Sequence, residues 1–188
     1  MGTSSDTTGI LVVAATDIEL CGNPGLVCGV GPVEAAVATA RELALSPPRA
    51  VLHLGIAGAR GLTPGALIIG SEAVYCDISA EIHLVERVEP DAGLLSSVRA
   101  AFPDSLVLPI GTSGTVGGSR GSGQHPVRVE AMEGFAVLRA CELAGVPGVE
   151  VRAISNEIAE SDRRRWRIGR AIESLEEALP GLLAAIAE

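Results

Sequence analysis

Aromatic side chains make up only 2% of this chain's 188 residues, and no apolar run approaches the length of a bilayer-spanning helix, which takes about 20 residues. With so few rings, the base-stacking platforms of single-strand-binding proteins are excluded. Positive charge is also short. Fourteen Lys and Arg stand against 23 Asp and Glu, a formal charge of −9, which argues against nucleic acid or an anionic membrane surface as partner. Cys21, Cys28, Cys76 and Cys141 show no CxxC spacing, and His53, His83 and His125 are scattered, so no metal site is expected. Cys76 and Cys141 fall in apolar segments and read as buried thiols. The first eight residues are small and polar, without a basic-then-apolar leader pattern, and Asp6 stands where myristoylation wants Ser or Thr. A cytoplasmic, cofactor-free chain is expected, with a flexible extension over 1–8 and one domain over 9–188.

What is present reads as globular, with 47% hydrophobic and 20% charged residues. Ile10–Ala15 is a continuous apolar run suited to a strand buried on both faces. Leu26–Val30 is a second such run, and Gly31-Pro32 opens a helix whose Val33, Ala36, Val37, Ala40, Leu43 and Ala44 repeat at helical spacing. That apolar face suits either the sheet or a second copy of the chain. Strands follow at Ala50–Ile56 and Ala66–Cys76, separated by a Gly-rich turn over Gly55–Ala59. A helix is expected near Asp91–Phe102, a strand at Leu106–Ile110, and a mobile or ligand-ordered Gly-rich loop from Gly111 to Gln124. Met132–Ala144 reads as a helix stopped by Gly145, and the last helix carries Ile168, Ile172, Leu175, Leu179, Leu182 and Ile186. Pro180 should kink it. Strands alternating with helices predict an α/β fold with a mixed, largely parallel sheet flanked by helices.

Two stretches carry the chemistry. In Val129-Glu130-Ala131-Met132-Glu133-Gly134 a strand runs into a helix, and Glu133 falls on the stripe of Val137, Cys141 and Ala144, opposite Arg139 and Glu142. A carboxylate heading a buried face is costly unless something satisfies it. Backbone N–H groups at the helix start could do so, or a ligand could. In Val151-Arg152-Ala153-Ile154-Ser155-Asn156-Glu157 a run of strand formers ends abruptly in polar residues. Ligands of open α/β sheets bind outside such strand ends. Asn156 offers a donor and an acceptor from one amide, or simply ends the strand in an Asx turn. Asp17 and Glu19 follow the first strand, as a helix cap, as solvated charges, or as a general base. Gly29-Val30-Gly31 lacks the third glycine of a dinucleotide fingerprint, Glu34 taking its place, and reads as a tight turn. Asp162-Arg163-Arg164-Arg165 alone reads as a solvated helix start.

These two stretches, in this order and spacing, resemble the nucleoside phosphorylase and nucleosidase superfamily, and the resemblance spans nearly the whole chain. Ala14-Ala15-Thr16-Asp17-Ile18-Glu19, Gly29-Val30-Gly31-Pro32-Val33-Glu34 and Leu54-Gly55-Ile56-Ala57-Gly58-Ala59 resemble its other signature segments. Met132-Glu133-Gly134-Phe135-Ala136, Asn rather than Asp at 156, and Asp162-Arg163-Arg164-Arg165-Trp166 look most like its futalosine hydrolase branch.

The resemblance implies a phosphorylase-like fold and hydrolysis of an N-ribosidic bond, with futalosine yielding hypoxanthine in menaquinone synthesis. It implies that Glu133 binds the ribose hydroxyls, Met132 packs beneath the sugar, and Asn156 holds the purine near N7 and the 6-position. Glu19, or else Asp17, would orient the water. Ala57, Gly58, Val116 and Ser155 are implied substrate contacts, and a homo-oligomer is implied as the assembly. The arginine that phosphorylases place ahead of the Gly-rich turn is missing from Val51-Leu52-His53-Leu54, and Arg60 is a weak substitute. The implied alternatives are a methylthioadenosine/S-adenosylhomocysteine nucleosidase, a purine nucleoside phosphorylase and a non-catalytic nucleoside binder.

Overall fold

The computed structural model describes residues 9–78, 81–115 and 127–187. Its strands are β1 (Ile10–Ala14), β2 (Leu26–Val27), β3 (Ala50–Ala59), β4 (Leu67–Tyr75), β5 (Arg87–Val88), β6 (Leu106–Thr112), β7 (Val129–Ala131) and β8 (Gly148–Glu157). Its α-helices are α1 (Pro32–Leu45), α2 (Ala92–Ala101), α3 (Gly134–Ala144) and α4 (Ile168–Ala187). The sheet runs β2-β1-β3-β7-β6-β4-β5, and β8 pairs with both β3 and β4. Strands β3, β7, β6, β4 and β8 therefore close into a ring, which leaves none of these five with a free edge at its pairing segments. The β1–β2, β1–β3, β3–β8, β4–β6 and β6–β7 pairs are parallel, and β3–β7, β4–β5 and β4–β8 are antiparallel. The mixed, largely parallel α/β sheet is as the alternation of elements predicts; its closure is not.

Small and branched side chains from all five ring strands, among them Ala57, Ile68, Ile110, Val129 and Ile154, pack together. Outside the ring, α2 and α4 cover one face around Leu52, Leu54, Val151 and Leu175. On the other face α1 and α3 enclose Val13, Val51, Val137 and Cys141. Asp91 caps α2 by accepting the Leu94 N–H at 2.9 Å. Gly145 ends α3 in the left-handed region at φ 67°, a conformation glycine adopts without steric cost. Helix α4 continues through Pro180 and buries the expected stripe of Ile172, Leu175, Leu179, Leu182 and Ile186. No helix among the described residues is long and apolar enough to cross a membrane.

Three expectations change. Gly55–Ala59 is not a turn but the second half of β3. Its glycines answer a need for space: a Cβ at Gly55 would lie 2.2 Å from Arg152 Nη1, and one at Gly58 would lie 3.0 Å from Asn156 Nδ2. In α1 the buried residues are Ala35, Thr39 and Leu43, whereas Val33 and Val37 are 72% and 65% exposed. Nearly every side of this helix is apolar, so periodicity alone could not select the packed stripe; the small Ala35 side lies inward. Helix α3 starts at Gly134, leaving Glu133 at its N-cap position. The extension over 1–8 lies outside the described residues, as does most of the Gly-rich loop; Gly111 and Thr112 belong to β6.

Candidate active site

A 3-10 turn (Asp17–Leu20) follows β1, and it is closed by Glu19 rather than by its neighbour. Glu19 Oε2 accepts from the Thr16 N–H at 3.0 Å and the Thr16 hydroxyl at 2.6 Å, while Oε1 accepts the Ile56 N–H of β3 at 3.0 Å. The turn thus has a capping box, and its carboxylate is tied to the central strand. Glu19 is buried, whereas Asp17 is exposed. The helix-cap and pocket readings of Glu19 hold together, because the capped carboxylate also lines a cavity.

Glu133 is 4% exposed. Its Oε1 accepts the Gly31 N–H at 3.0 Å, and its Oε2 lies 3.6 Å from Arg152 Nη2. The tight turn before α1 therefore has a second task, presenting a backbone donor to a buried acid. Burial raises the Glu133 pKa, with Arg152 and the Gly31 N–H opposing it.

Sequence reasoning missed the group behind Glu133. Arg152 is fully buried on β8; its Nε donates to Glu150 Oε1 at 2.8 Å and its Nη2 contacts His53 Nε2. His53 Nδ1 faces the Val13 carbonyl at 3.0 Å. A carbonyl only accepts, so the ring proton sits on Nδ1 and Nε2 accepts from the guanidinium. Burial first, then Arg152, holds the His53 pKa well below its ordinary value, and His53 is a neutral acceptor. Burial works to lower the Arg152 pKa, but Glu150, Glu133 and Glu19 outweigh it and the pKa is raised. Burial raises Glu150 too, against the pull of Arg152. One signal existed: Glu150 and Arg152 alternate with Val149, Val151 and Ala153, which puts opposite charges on one face of an otherwise apolar strand.

Asn156 is delivered by an irregularity. The β3–β8 register pairs Ala57 with Ile154 and then Gly58 with Asn156, so Ser155 is an extra residue. Such a bulge re-aims the side chains beside it. The Ser155 hydroxyl lies 2.7 Å from Asn156 Oδ1 and 3.2 Å from the Ala57 carbonyl; Asn156 Nδ2 donates to the Glu157 carbonyl at 2.9 Å. These partners fix which end of the amide is the donor, and one of its two N–H bonds remains for another acceptor.

These strand ends open on one cavity of about 440 Å³. Glu19, Ala57, Gly58, Met132, Glu133, Ser155 and Asn156 all line it, so the structure gathers these expected site residues in one place. Val116 lies outside the described residues. Asp17 is not among the lining residues. Two wall features were not foreseen. Glu130 faces the cavity from β7, and Arg163 and Trp166 face it from the segment before α4, with the guanidinium 5.2 Å from the ring centroid. The basic run is thus not merely a solvated helix start: it makes a 3-10 turn (Arg163–Arg165), and the helix begins at Ile168. Arg60 points elsewhere, to the Val127 carbonyl and to Glu130 Oε1 at 3.5 Å.

Residues 24–188 match the phosphorylase superfamily. A futalosine hydrolase of Streptomyces coelicolor is 34% identical over 188 aligned positions, covering 87% of this chain and 79% of that relative. A 5'-methylthioadenosine/S-adenosylhomocysteine nucleosidase of Actinobacillus succinogenes is 30% identical over 68% of this chain and 65% of its own length. The solved 5'-methylthioadenosine/S-adenosylhomocysteine nucleosidase of Colwellia psychrerythraea, in complex with adenine, superposes with a TM-score of 0.82 at 18% identity over 94% of this chain and 95% of that one. That last likeness is one of fold. The chain belongs to the phosphorylase superfamily. Within it, the chain stands with the nucleosidases, enzymes that hydrolyse N-glycosyl bonds.

Proposed function

We propose that this enzyme hydrolyses the N-ribosidic bond of futalosine, releasing hypoxanthine and dehypoxanthinyl futalosine in menaquinone biosynthesis. One observation carries the reading: a buried carboxylate, Glu133, shares a chamber with an oriented amide, Asn156, at the ends of the two strands that flank β3. Cleaving such a bond builds positive charge on the sugar and negative charge on the departing base. Glu133 accepts from the ribose hydroxyls, and its charge complements the electron-poor ring, most strongly as the transition state forms. Met132 packs beneath the sugar. Asn156 donates its remaining N–H toward the purine's 6-carbonyl and N7, while Ser155 holds the amide in that sense. Glu19 orients the attacking water with the Oε1 lone pair left over from its Ile56 and Thr16 bonds. Backbone at Ala57 and Gly58 meets the base.

Water rather than phosphate is the nucleophile. Among the described residues, Glu19, Glu130, Glu133 and one arginine, Arg163, which lies over Trp166, line the cavity. Arg60 and Arg152 are engaged by Glu130 and Glu133, which leaves no bidentate arginine clamp for a phosphate dianion among the described residues. The relative from Actinobacillus favours a second reading, an adenine-releasing nucleosidase. An amide at 156 cannot protonate N7 as an acid can, but it can donate to a 6-carbonyl, and this supports hypoxanthine as leaving group. The purified enzyme should release hypoxanthine from futalosine without added phosphate, and Asn156→Asp should move preference toward adenine. Faster release of adenine from methylthioadenosine by the unaltered enzyme would replace the first reading with the second. We also propose a homo-oligomer formed through the exposed Val33 and Val37 face of α1; light scattering showing a monomer would reject it.

A further inference from the structure

Glu130 takes no part in that chemistry, yet it is 8% exposed and lines the same cavity. Its place in the sheet is specific. Gly58 of β3 is in register with Glu130 on one side and with Asn156 on the other. Residues in register across neighbouring strands share a face, so the carboxylate and the amide stand two strand spacings apart, about 10 Å between backbones. Between them Gly58 presents bare backbone, and a Cβ there would crowd Asn156 Nδ2 at 3.0 Å and Ile158 Cγ1 at 3.3 Å. A flat ring can lie across this floor with a donor at one edge and an acceptor at the other. Arg60, 3.5 Å from Glu130 Oε1, offsets the cost of keeping a carboxylate there.

The two purine classes differ at these edges. A 6-oxopurine has a carbonyl at position 6 and an N–H at position 1, whereas a 6-aminopurine has an amino group at 6 and a lone pair at N1. An ionised carboxylate only accepts. It bonds the N1–H of the first and faces the lone pair of the second without a proton between them. We infer that Glu130 is a specificity-determining residue that reads the N1–H of a 6-oxopurine leaving group, while Asn156 reads the 6-carbonyl. This rests on the proposed nucleosidase reading and adds the group that selects the base. A site built to bond an N–H discriminates against an analogue that offers a lone pair in its place, because the carboxylate's charge then faces that lone pair directly.

The test compares nucleosides that share one sugar and carry hypoxanthine, adenine or 1-methylhypoxanthine. Glutamine can present either a carbonyl or an N–H, so Glu130→Gln should lower the hypoxanthine-to-adenine ratio of kcat/KM about ten-fold or more. In the unaltered enzyme, the 1-methyl nucleoside should be cleaved about ten-fold more slowly or worse than its parent, and Glu130→Ala should shrink that penalty. A ratio unchanged in Glu130→Gln, or a 1-methyl nucleoside cleaved as fast as its parent, overturns the inference while leaving the nucleosidase reading intact. An unaltered enzyme that releases no base from any of the three overturns both.

Discussion

Replacing Glu133 with Gln removes one negative charge and almost no volume. The carbonyl of Gln can still accept the Gly31 N–H that Oε1 accepts at 3.0 Å, and Arg152 keeps its Glu150 partner at 2.8 Å. Folding should therefore survive. Burial raises the folded-state pKa of Glu133 above its ordinary 4.5, so the sign follows from linkage: this group's stabilising contribution is full below that ordinary value and is lost as pH rises through the raised one. At neutral pH the ionised acid weakens the fold, and Glu133→Gln should leave Tm unchanged or raise it. Catalysis should move the other way. A unit charge about 5 Å from a cationic sugar, at an effective dielectric near 20, is worth about 3 kcal/mol, or about a hundred-fold in rate. We expect kcat for hypoxanthine release to fall by about that factor, with KM altered far less because the charge acts mainly on the transition state. The unaltered enzyme should also lose activity on acidification through the raised Glu133 pKa, a limb missing from the variant. Hypoxanthine release followed spectrophotometrically across pH, with Tm from calorimetry, decides the matter. A variant retaining kcat within about three-fold of the parent would refute the electrostatic role.

Arg152→Met keeps bulk but strands Glu133 and Glu150 without their cation. Breaking a buried ion pair costs about 3–5 kcal/mol, which urea denaturation should show; a loss below about 1 kcal/mol would mean the cluster is not held by charge. His53, neutral in the fold with its pKa well below the ordinary 6.5, contributes stability that is present above that value and lost as pH falls toward the folded one. The slope should reach about 1.4 kcal/mol per pH unit. His53→Gln should flatten it, and an unchanged slope in the variant would assign the acid sensitivity to another group.

Local chemistry wrote most of the elements into the chain. The apolar run Ile10–Ala15 marked β1, Ala50–Ile56 marked the first part of β3, helical spacing marked α3 and α4, and Gly145 and Asp91 marked where helices stop and start. The clash between a charged Glu133 and its apolar stripe was visible as well, because it is a conflict between neighbours a few residues apart. The Asn156 position was visible for the same reason, as polar residues interrupting a strand. Glycine was misread where its use was nonlocal. Gly55 looks like a turn residue until Arg152, nearly a hundred positions away, is seen to need the room.

Tertiary structure alone decided the rest. Periodicity says that α1 is apolar but not which side meets α3, since that depends on how close two helices can approach. Asp17 and Glu19 are equivalent as letters; the geometry of a 3-10 turn buries one and exposes the other. Nor could spacing place Glu130 and Asn156 on either side of Gly58, or close β8 across β3 and β4, because strand pairing is a choice among distant partners made by the whole core at once. The chain by itself determined what kinds of groups were available, and the closed sheet determined which of them share a cavity.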